Sequence, residues 1–206
     1  MQHDNDAAEV FYTRAIEADP DNATNLGKFA YFLHAVRGDH HMAHLHYQKA
    51  VQCGDNNADI LGNYANFLET ERDDKELAET FYKQAVAVDP RHAFNLASYA
   101  RLLAYSNNDN EAADELFRRA VHADLEEIHE SYIEFLESIR ETDPRSDEYY
   151  KTAINEFPQC GPLLESYGRY LEEVLNDKAG AARYFKAASE IVTLSVSYTH
   201  LRAHET

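Results

Sequence analysis

Apolar and polar positions follow one another with a helical period along most of the chain. Leu61, Tyr64, Ala65 and Leu68 fall at i, i+3, i+4 and i+7, which puts them on one stripe of a helix. Ala78, Phe81, Tyr82, Ala85 and Val86 repeat that spacing on a second helix. Both patterns recur. "AEVFYTRAIEADP", "AHLHYQKAVQCGD", "AETFYKQAVAVDP", "ADELFRRAVHADL", "SDEYYKTAINEFP" and "AARYFKAASEIVT" align as copies of one segment, and their alanines Ala15, Ala50, Ala85, Ala120, Ala153 and Ala188 are separated by 35, 35, 35, 33 and 35 residues. Between them lies a second series, "NLGKFAYFL", "ILGNYANFL", "NLASYARLL", "IHESYIEFL" and "LLESYGRYL". Each repeat is therefore a pair of helices.

The small residue recurs because two helix backbones must approach closely there, and the aromatic recurs because it fills the space beside that contact. Asp-Pro at 19–20 and 89–90 and Phe-Pro at 157–158 follow the second helix, where proline's fixed φ and missing N–H end it. Gly38, the stretch from Arg72 to Asp74 and "SNNDN" at 106–110 supply turns between paired helices.

This pattern resembles the tetratricopeptide repeat (TPR), with Leu61, Tyr64, Ala65 and Leu68 on the first helix and Ala78, Tyr82, Ala85 and Pro90 on the second in the best-matching copy. The resemblance covers residues 7 to about 192 and implies an all-α fold, a right-handed α-solenoid of antiparallel helix pairs. The domain reading is a second helix of an incomplete repeat over 1–22, five helix pairs over 23–193 and a disordered tail over 194–206. The 35-residue period exceeds the family's 34, and the spacing places the extra residue in the turn between paired helices. The copy from Ile128 to Pro158 is weaker, with His129 and Ile133 at two signature positions, Ser146 in place of the alanine and a shortened preceding loop. "SYIEFLE" and "NYANFLE" also look like the half-a-TPR repeat of RNA-processing scaffolds, although the glycine, alanine and Asp-Pro features favour the commoner family.

Charge narrows the range of partners. A formal net charge of −18 disfavours sequence-independent binding to nucleic acid or anionic lipid and makes a basic partner easier to hold. No apolar run approaches a membrane span, and the start lacks the order of a secretory signal, so an authentic start predicts a cytoplasmic or nuclear protein. Cys53 and Cys160 fit no zinc spacing and read as free thiols.

"DHHMAHLHYQKAV" at 39–51 holds four of the eleven histidines. His40 and His44 share a helix face at i and i+4, a spacing able to chelate a divalent ion. The equivalent positions elsewhere are Lys75 and Glu79, or Asn110 and Asp114, which read as a solvated face, while His46 aligns with Phe11, Phe81, Leu116, Tyr149 and Tyr184 and reads as packed. With no HExxH order and no nearby cysteine, the expectation is no metal. Without a glycine-rich phosphate loop, and with glutamates that recur as a solvated face would, the further expectation is no catalytic residue and no cofactor.

In this family the first helix of each repeat lines a concave groove that receives a peptide or helix. Carried over by alignment, the groove residues are Tyr31, His34, Ala35, Asn66, Glu69, Phe94, Arg101, Tyr105, Glu127, Glu130, Glu134, Glu137, Glu165, Arg169, Glu172 and Glu173. Its early part is aromatic and small, its late part acidic. Gly27 and Gly62 stand where basic residues would be needed, and Arg101 and Arg169 are isolated, so a carboxylate clamp for a chaperone C-terminus is not expected. The resemblance thus implies a non-enzymatic scaffold for a protein or peptide, with Glu130, Glu134 and Glu137 at i, i+4 and i+7 favouring a basic segment.

The last residues, "VSYTHLRAHET", break the repeat and reproduce the one-frame translation of a transposase mosaic end and sequencing adapter. Residues 196–206, with His200 and His204, are expected to be an artefact, and the lone second helix over 7–18 suggests a fragment of a longer repeat protein with Met1 internal. The alternative function is then a regulatory array of a larger multidomain signalling protein. The late repeats look similar to arrays in such proteins.

Overall fold

The computed structural model describes the backbone of residues 2–54 and 57–203, and side chains within 4–54 and 57–191. The described residues form helices and no strand. After α1 (Gln2–Ala18), first and second helices follow in chain order: α2 (Ala23–Phe32) and α3 (His40–Gln52), then α4 (Ala58–Arg72) and α5 (Lys75–Val88), then α6 (Ala93–Leu102) and α7 (Asn110–Ala123). Next come α8 (Leu125–Ile139) and α9 (Ser146–Glu156), then α10 (Gly161–Glu173) and α11 (Lys178–Ala203). Two compact units result, Met1–Asn108 with α1 to α6 and Asp109–Thr206 with α7 to α11. From Lys178 to Ala203 the last helix holds no proline, and its one glycine, Gly180, sits in the first turn. Side chains of the adapter-like residues 196–206 lie outside the described residues.

In two of the repeats the residue that lengthens the period sits slightly earlier than the turn between helices. α2 and α6 each end in a π-helical turn, Leu33–Arg37 and Leu103–Asn107, which holds one residue more than an α turn. The N–H groups of Gly38 and Asn108 close these turns on the carbonyls of Leu33 and Leu103, five residues back; after α2, α4 and α10 the N–H groups of Asp39, Asp74 and Asp177 also donate to the carbonyls of Leu33, Leu68 and Leu171, six residues back, at 2.9, 2.9 and 2.7 Å. Gly38, Asp73, Asn108 and Asn176 then take left-handed backbone at φ 67°, 51°, 54° and 55°, a conformation that Gly, Asn and Asp tolerate best. An aspartate follows each and caps the second helix: Asp39, Asp74, Asp109 and Asp177 accept from the N–H groups of Met42, Leu77, Ala112 and Gly180. The α8–α9 turn is built differently. There the buried Ser146 hydroxyl donates to the carbonyls of Ile139 and Asp143 at 2.9 and 2.7 Å, which accounts for serine where other copies carry alanine.

One contact ties each second helix to the next first helix. A ring on the second helix packs on two positions one turn apart: Tyr12 on Phe29 and Phe32 (5.5 and 5.5 Å between centroids), Tyr47 on Tyr64 and Phe67 (5.2 and 5.6 Å), and Tyr82 on Tyr99 (6.1 Å). The second unit repeats it, with Phe117 on Tyr132 and Phe135 (5.7 and 5.2 Å) and Tyr150 on Tyr167 and Tyr170 (5.3 and 5.2 Å). Each buried ring stabilises by roughly 1.5–3 kcal/mol, and stacking adds to this. Around the rings Ala43, Ala50, Ala65, Ala78, Ala85, Ala100, Ala113, Ala120 and Ala153 are fully buried, so the helix backbones meet closely.

A polar latch accompanies the rings. Three residues before the second-helix aromatic stands a polar group that meets a tyrosine hydroxyl: His44 Nδ1 with Tyr64 (3.4 Å), Glu79 with Tyr99 (3.5 Å), Asp114 with Tyr132 (2.6 Å) and Asp147 with Tyr167 (2.8 Å). In the first copy the partner is Phe29, which has no hydroxyl, and Glu9 pairs with Arg37 at 2.7 Å instead. The solvated face expected at these positions is therefore an inter-helix seam, and Asp114 is only 4% exposed. Burial pushes the Asp114 carboxyl up, against the Tyr132 hydroxyl and the Arg118 guanidinium, which favour its charged form.

Removing a hydroxyl should thus have opposite effects at two tyrosines. Tyr132→Phe takes a donor from a buried carboxylate and should lower stability by about 1–3 kcal/mol. Among the described residues the buried Tyr47 hydroxyl has no partner, so Tyr47→Phe should be neutral or raise stability. Denaturant midpoints of the two variants provide the check, and equal losses would contradict the latch.

Candidate functional site

The expected groove residues lie on first helices and divide by environment. Tyr31, Phe94 and Tyr105 are exposed aromatics at 50%, 50% and 59%. Arg101, Glu130, Glu134 and Glu165 are also exposed, while His34, Asn66, Glu69, Glu137 and Arg169 are half-buried. Because the chain forms two units, these residues divide between them: Tyr31, His34, Asn66, Glu69, Phe94, Arg101 and Tyr105 lie in the first, Glu130, Glu134, Glu137, Glu165 and Arg169 in the second.

Successive first helices are clasped by a charge pair in both units. Arg101 lies 3.5 Å from Glu69, whose other contact is the Tyr82 hydroxyl, donating at 3.0 Å. Arg169 lies 2.6 Å from Glu137, which also accepts from the Ser166 hydroxyl at 2.8 Å. Ser166 in turn meets the Tyr150 hydroxyl at 3.0 Å. The arginines expected to be isolated are therefore paired, and the acidic triplet of α8 is not uniform. Glu137 is committed to its neighbour helix, whereas Glu130 and Glu134 have no ion pair among the described residues. Burial works against the charge on Glu137, but Arg169 and Ser166 outweigh it and hold the carboxyl below its ordinary range.

Gly27 and Gly62 serve packing. A β-carbon on Gly62 would collide with Asn95 Oδ1, and Asn95 is fixed there by donating to the Ala58 carbonyl at 2.9 Å. A β-carbon on Gly27 would meet Ile60 at 2.6 Å.

The histidine-rich stretch separates into distinct roles. His44 forms the seam with Tyr64, and His46 packs on Phe29 at 4.9 Å within its own helix pair. Phe81 on Tyr64 and Tyr184 on Tyr167 do the same at 4.8 and 4.7 Å, while the aligned Phe11 stands 68% exposed on α1. His40 leaves the helix-face pairing with His44 and turns to Glu71 at 3.1 Å. His34, aligned into the groove, lies 3.6 Å from the same carboxylate. Burial lowers the pKa of His34, against the pull of Glu71. Nothing in the one-dimensional pattern pairs residue 71 with 34 and 40.

With this geometry in place, solved structures can be set beside the chain, whose fold is that of tetratricopeptide-repeat proteins. The structure of MamA superimposes with a TM-score of 0.56 at 18% identity, over 96% of this chain and 94% of that one. PilF of Pseudomonas aeruginosa gives 0.61 at 21% identity, over 98% and 91%. YrrB, a TPR protein with an unusual peptide-binding site, gives 0.62 at 15% identity, over 93% and 97%. No protein-family model and no curated protein matches the sequence. No helix of the described residues is long and apolar enough to cross a membrane.

Two measurements follow from these placements. A double-mutant cycle on Glu137→Gln and Arg169→Met should give a coupling of about 0.2–1 kcal/mol, since both groups are partly exposed, and a cycle on Glu130 and Arg169 should give none. The Glu137 contribution should be complete above the ordinary carboxyl value of 4.5 and fade as pH falls below it. His46 behaves oppositely in origin but alike in direction. Burial, then Lys49, lowers its pKa from 6.5, so the unfolded chain takes up that proton more readily and stability is lost as pH falls through 6.5. His46→Phe should accordingly gain more in melting temperature over wild type in mild acid than above neutrality; an equal gain at both would remove the burial effect.

Proposed function

We propose that the chain is a non-enzymatic interaction scaffold whose first helices receive a segment of a protein partner, with an aromatic surface in the first unit and an acidic one in the second. The observation that carries this reading is the division of polar groups on those helices. Glu69, Arg101, Glu137 and Arg169 satisfy one another within the fold, while Tyr31, Phe94, Tyr105, Glu130 and Glu134 stay exposed on the same set of helices. Exposed tyrosine and phenylalanine supply contact area at low entropic cost, and unpaired carboxylates one helical turn apart attract a cationic segment. A net charge of −18 reinforces that preference at long range. YrrB, with its peptide-binding site, supports the class of ligand by analogy of fold.

The test is binding of lysine- and arginine-rich peptides to the full chain, read by fluorescence anisotropy at low and high salt. Glu130→Gln with Glu134→Gln should weaken binding roughly 3- to 10-fold at low salt and flatten its salt dependence. Glu137→Gln should change stability more than affinity. Unaltered binding in the double variant would exclude the acidic surface, and loss on Tyr31→Ala or Phe94→Ala alone would move the binding face to the first unit.

A further inference from the structure

The geometry points to a binding site for a divalent transition-metal ion of the zinc class formed by His34, His40 and Glu71. These residues come from three elements of the first unit: the π turn that closes α2, the start of α3 and the last turn of α4. One ligand atom from each lies within 4.8 Å of the other two. The Glu71 carboxylate is shared between the rings, with Oε1 3.6 Å from His34 Nε2 and Oε2 3.1 Å from His40 Nδ1. The Thr70 hydroxyl, which donates to the Asn66 carbonyl at 3.0 Å, lies 3.3 Å from Oε1, and Phe67 backs the site with its ring 5.2 Å from that of His34.

In a tetrahedral site with ligand distances of about 2.0–2.1 Å, ligand atoms stand about 3.3 Å apart. Closing the present arrangement requires small side-chain rotations, and His40 and Glu71 are exposed enough to make them. Two imidazoles and one carboxylate suit a borderline ion such as zinc, with solvent in the remaining position, and do not suit calcium or magnesium, which take oxygen ligands. The helix-face pair His40 and His44 is not this site, since the ligand atoms that converge are those of His34, His40 and Glu71. An ion here would join the first helices of two successive repeats through the wide turn that the 35-residue period creates.

The full chain, freed of metal with a chelator, should be titrated with zinc by calorimetry and with cobalt by visible absorption. The expected result is one ion per chain at this site, a rise in melting temperature, since the ion binds only the folded arrangement, and affinity reduced roughly tenfold or more in His34→Gln and Glu71→Gln. His41→Gln, an exposed neighbour outside the cluster, should keep wild-type affinity. Zinc affinity within about twofold of wild type in folded Glu71→Gln would overturn the site in favour of scattered surface histidines. Should the variants fail to fold, imidazole NMR signals of the unmodified chain decide: the His34 and His40 signals must shift at the lowest zinc additions, and a His41 signal that shifts before them overturns the site.

Discussion

The structure depends on the contact between each second helix and the next first helix. A single repeat cannot bury its own apolar stripe, so stability must come from neighbours, and here the neighbour contact is a ring set against two positions one turn apart. The rings supply area and the alanines allow approach, but neither fixes the rotation of one helix about its axis. The tyrosine hydroxyl does so by meeting a polar group placed three residues before the stacked ring. Histidine, glutamate and aspartate all serve as that partner, at 3.4, 3.5, 2.6 and 2.8 Å in the four copies. The chemistry varies while the geometry is kept. That is why side chains that look solvent-directed in an alignment belong to the seam.

The same constraint decides which charges remain for a partner. A first helix presents one face to its neighbours and another to solvent, and at positions 69 and 137 the boundary between them is occupied by a carboxylate. Each carboxylate meets an arginine on the following first helix, at positions 101 and 169, with a spacing of 32 residues in both cases. An exposed pair of this kind contributes little to stability. Its larger effect is to neutralise part of what reads in sequence as an acidic surface. Of the triplet Glu130, Glu134 and Glu137 on α8, the first two remain without an ion pair among the described residues, and the charge available there is smaller than a count of the three indicates.

Much of the fold was legible because repetition turns weak signals into strong ones. A 35-residue spacing of Ala50, Ala85 and Ala120 fixes helix pairs regardless of the propensity of any one segment. Proline after the second helix marks an end that the structure places within two residues. The site was less legible, for a physical reason. Alignment shows which residues are equivalent, whereas pairing between Glu69 and Arg101, or burial of Asp114, depends on the packing of helices that are neighbours in space. The extra residue was visible as a number, but a π turn and a longer loop lengthen a sequence equally, and only the hydrogen bonds to Leu33 and Leu103 distinguish them.

The stretch from Asp39 to Val51 shows how a repeat can hold local chemistry without losing its frame. Asp39 caps α3, Ala43, Tyr47 and Ala50 are buried like Ala78, Tyr82 and Ala85 or Ala113, Phe117 and Ala120, and His44 and His46 occupy positions where α5 carries the carboxylate of Glu79 and the ring of Phe81. Imidazole can replace both because it accepts a hydrogen bond and presents a flat face. His40 is different. Its counterparts Lys75 and Asn110 belong to other partners, Asp73 at 3.6 Å and Asp143 at 3.0 Å, so no repeat-wide rule requires histidine there. The wide turn after α2 brings His34 toward His40, and the next first helix brings Glu71 to both. Within a frame set by rings and alanines, the positions that the frame leaves free are where a function particular to this chain can be written.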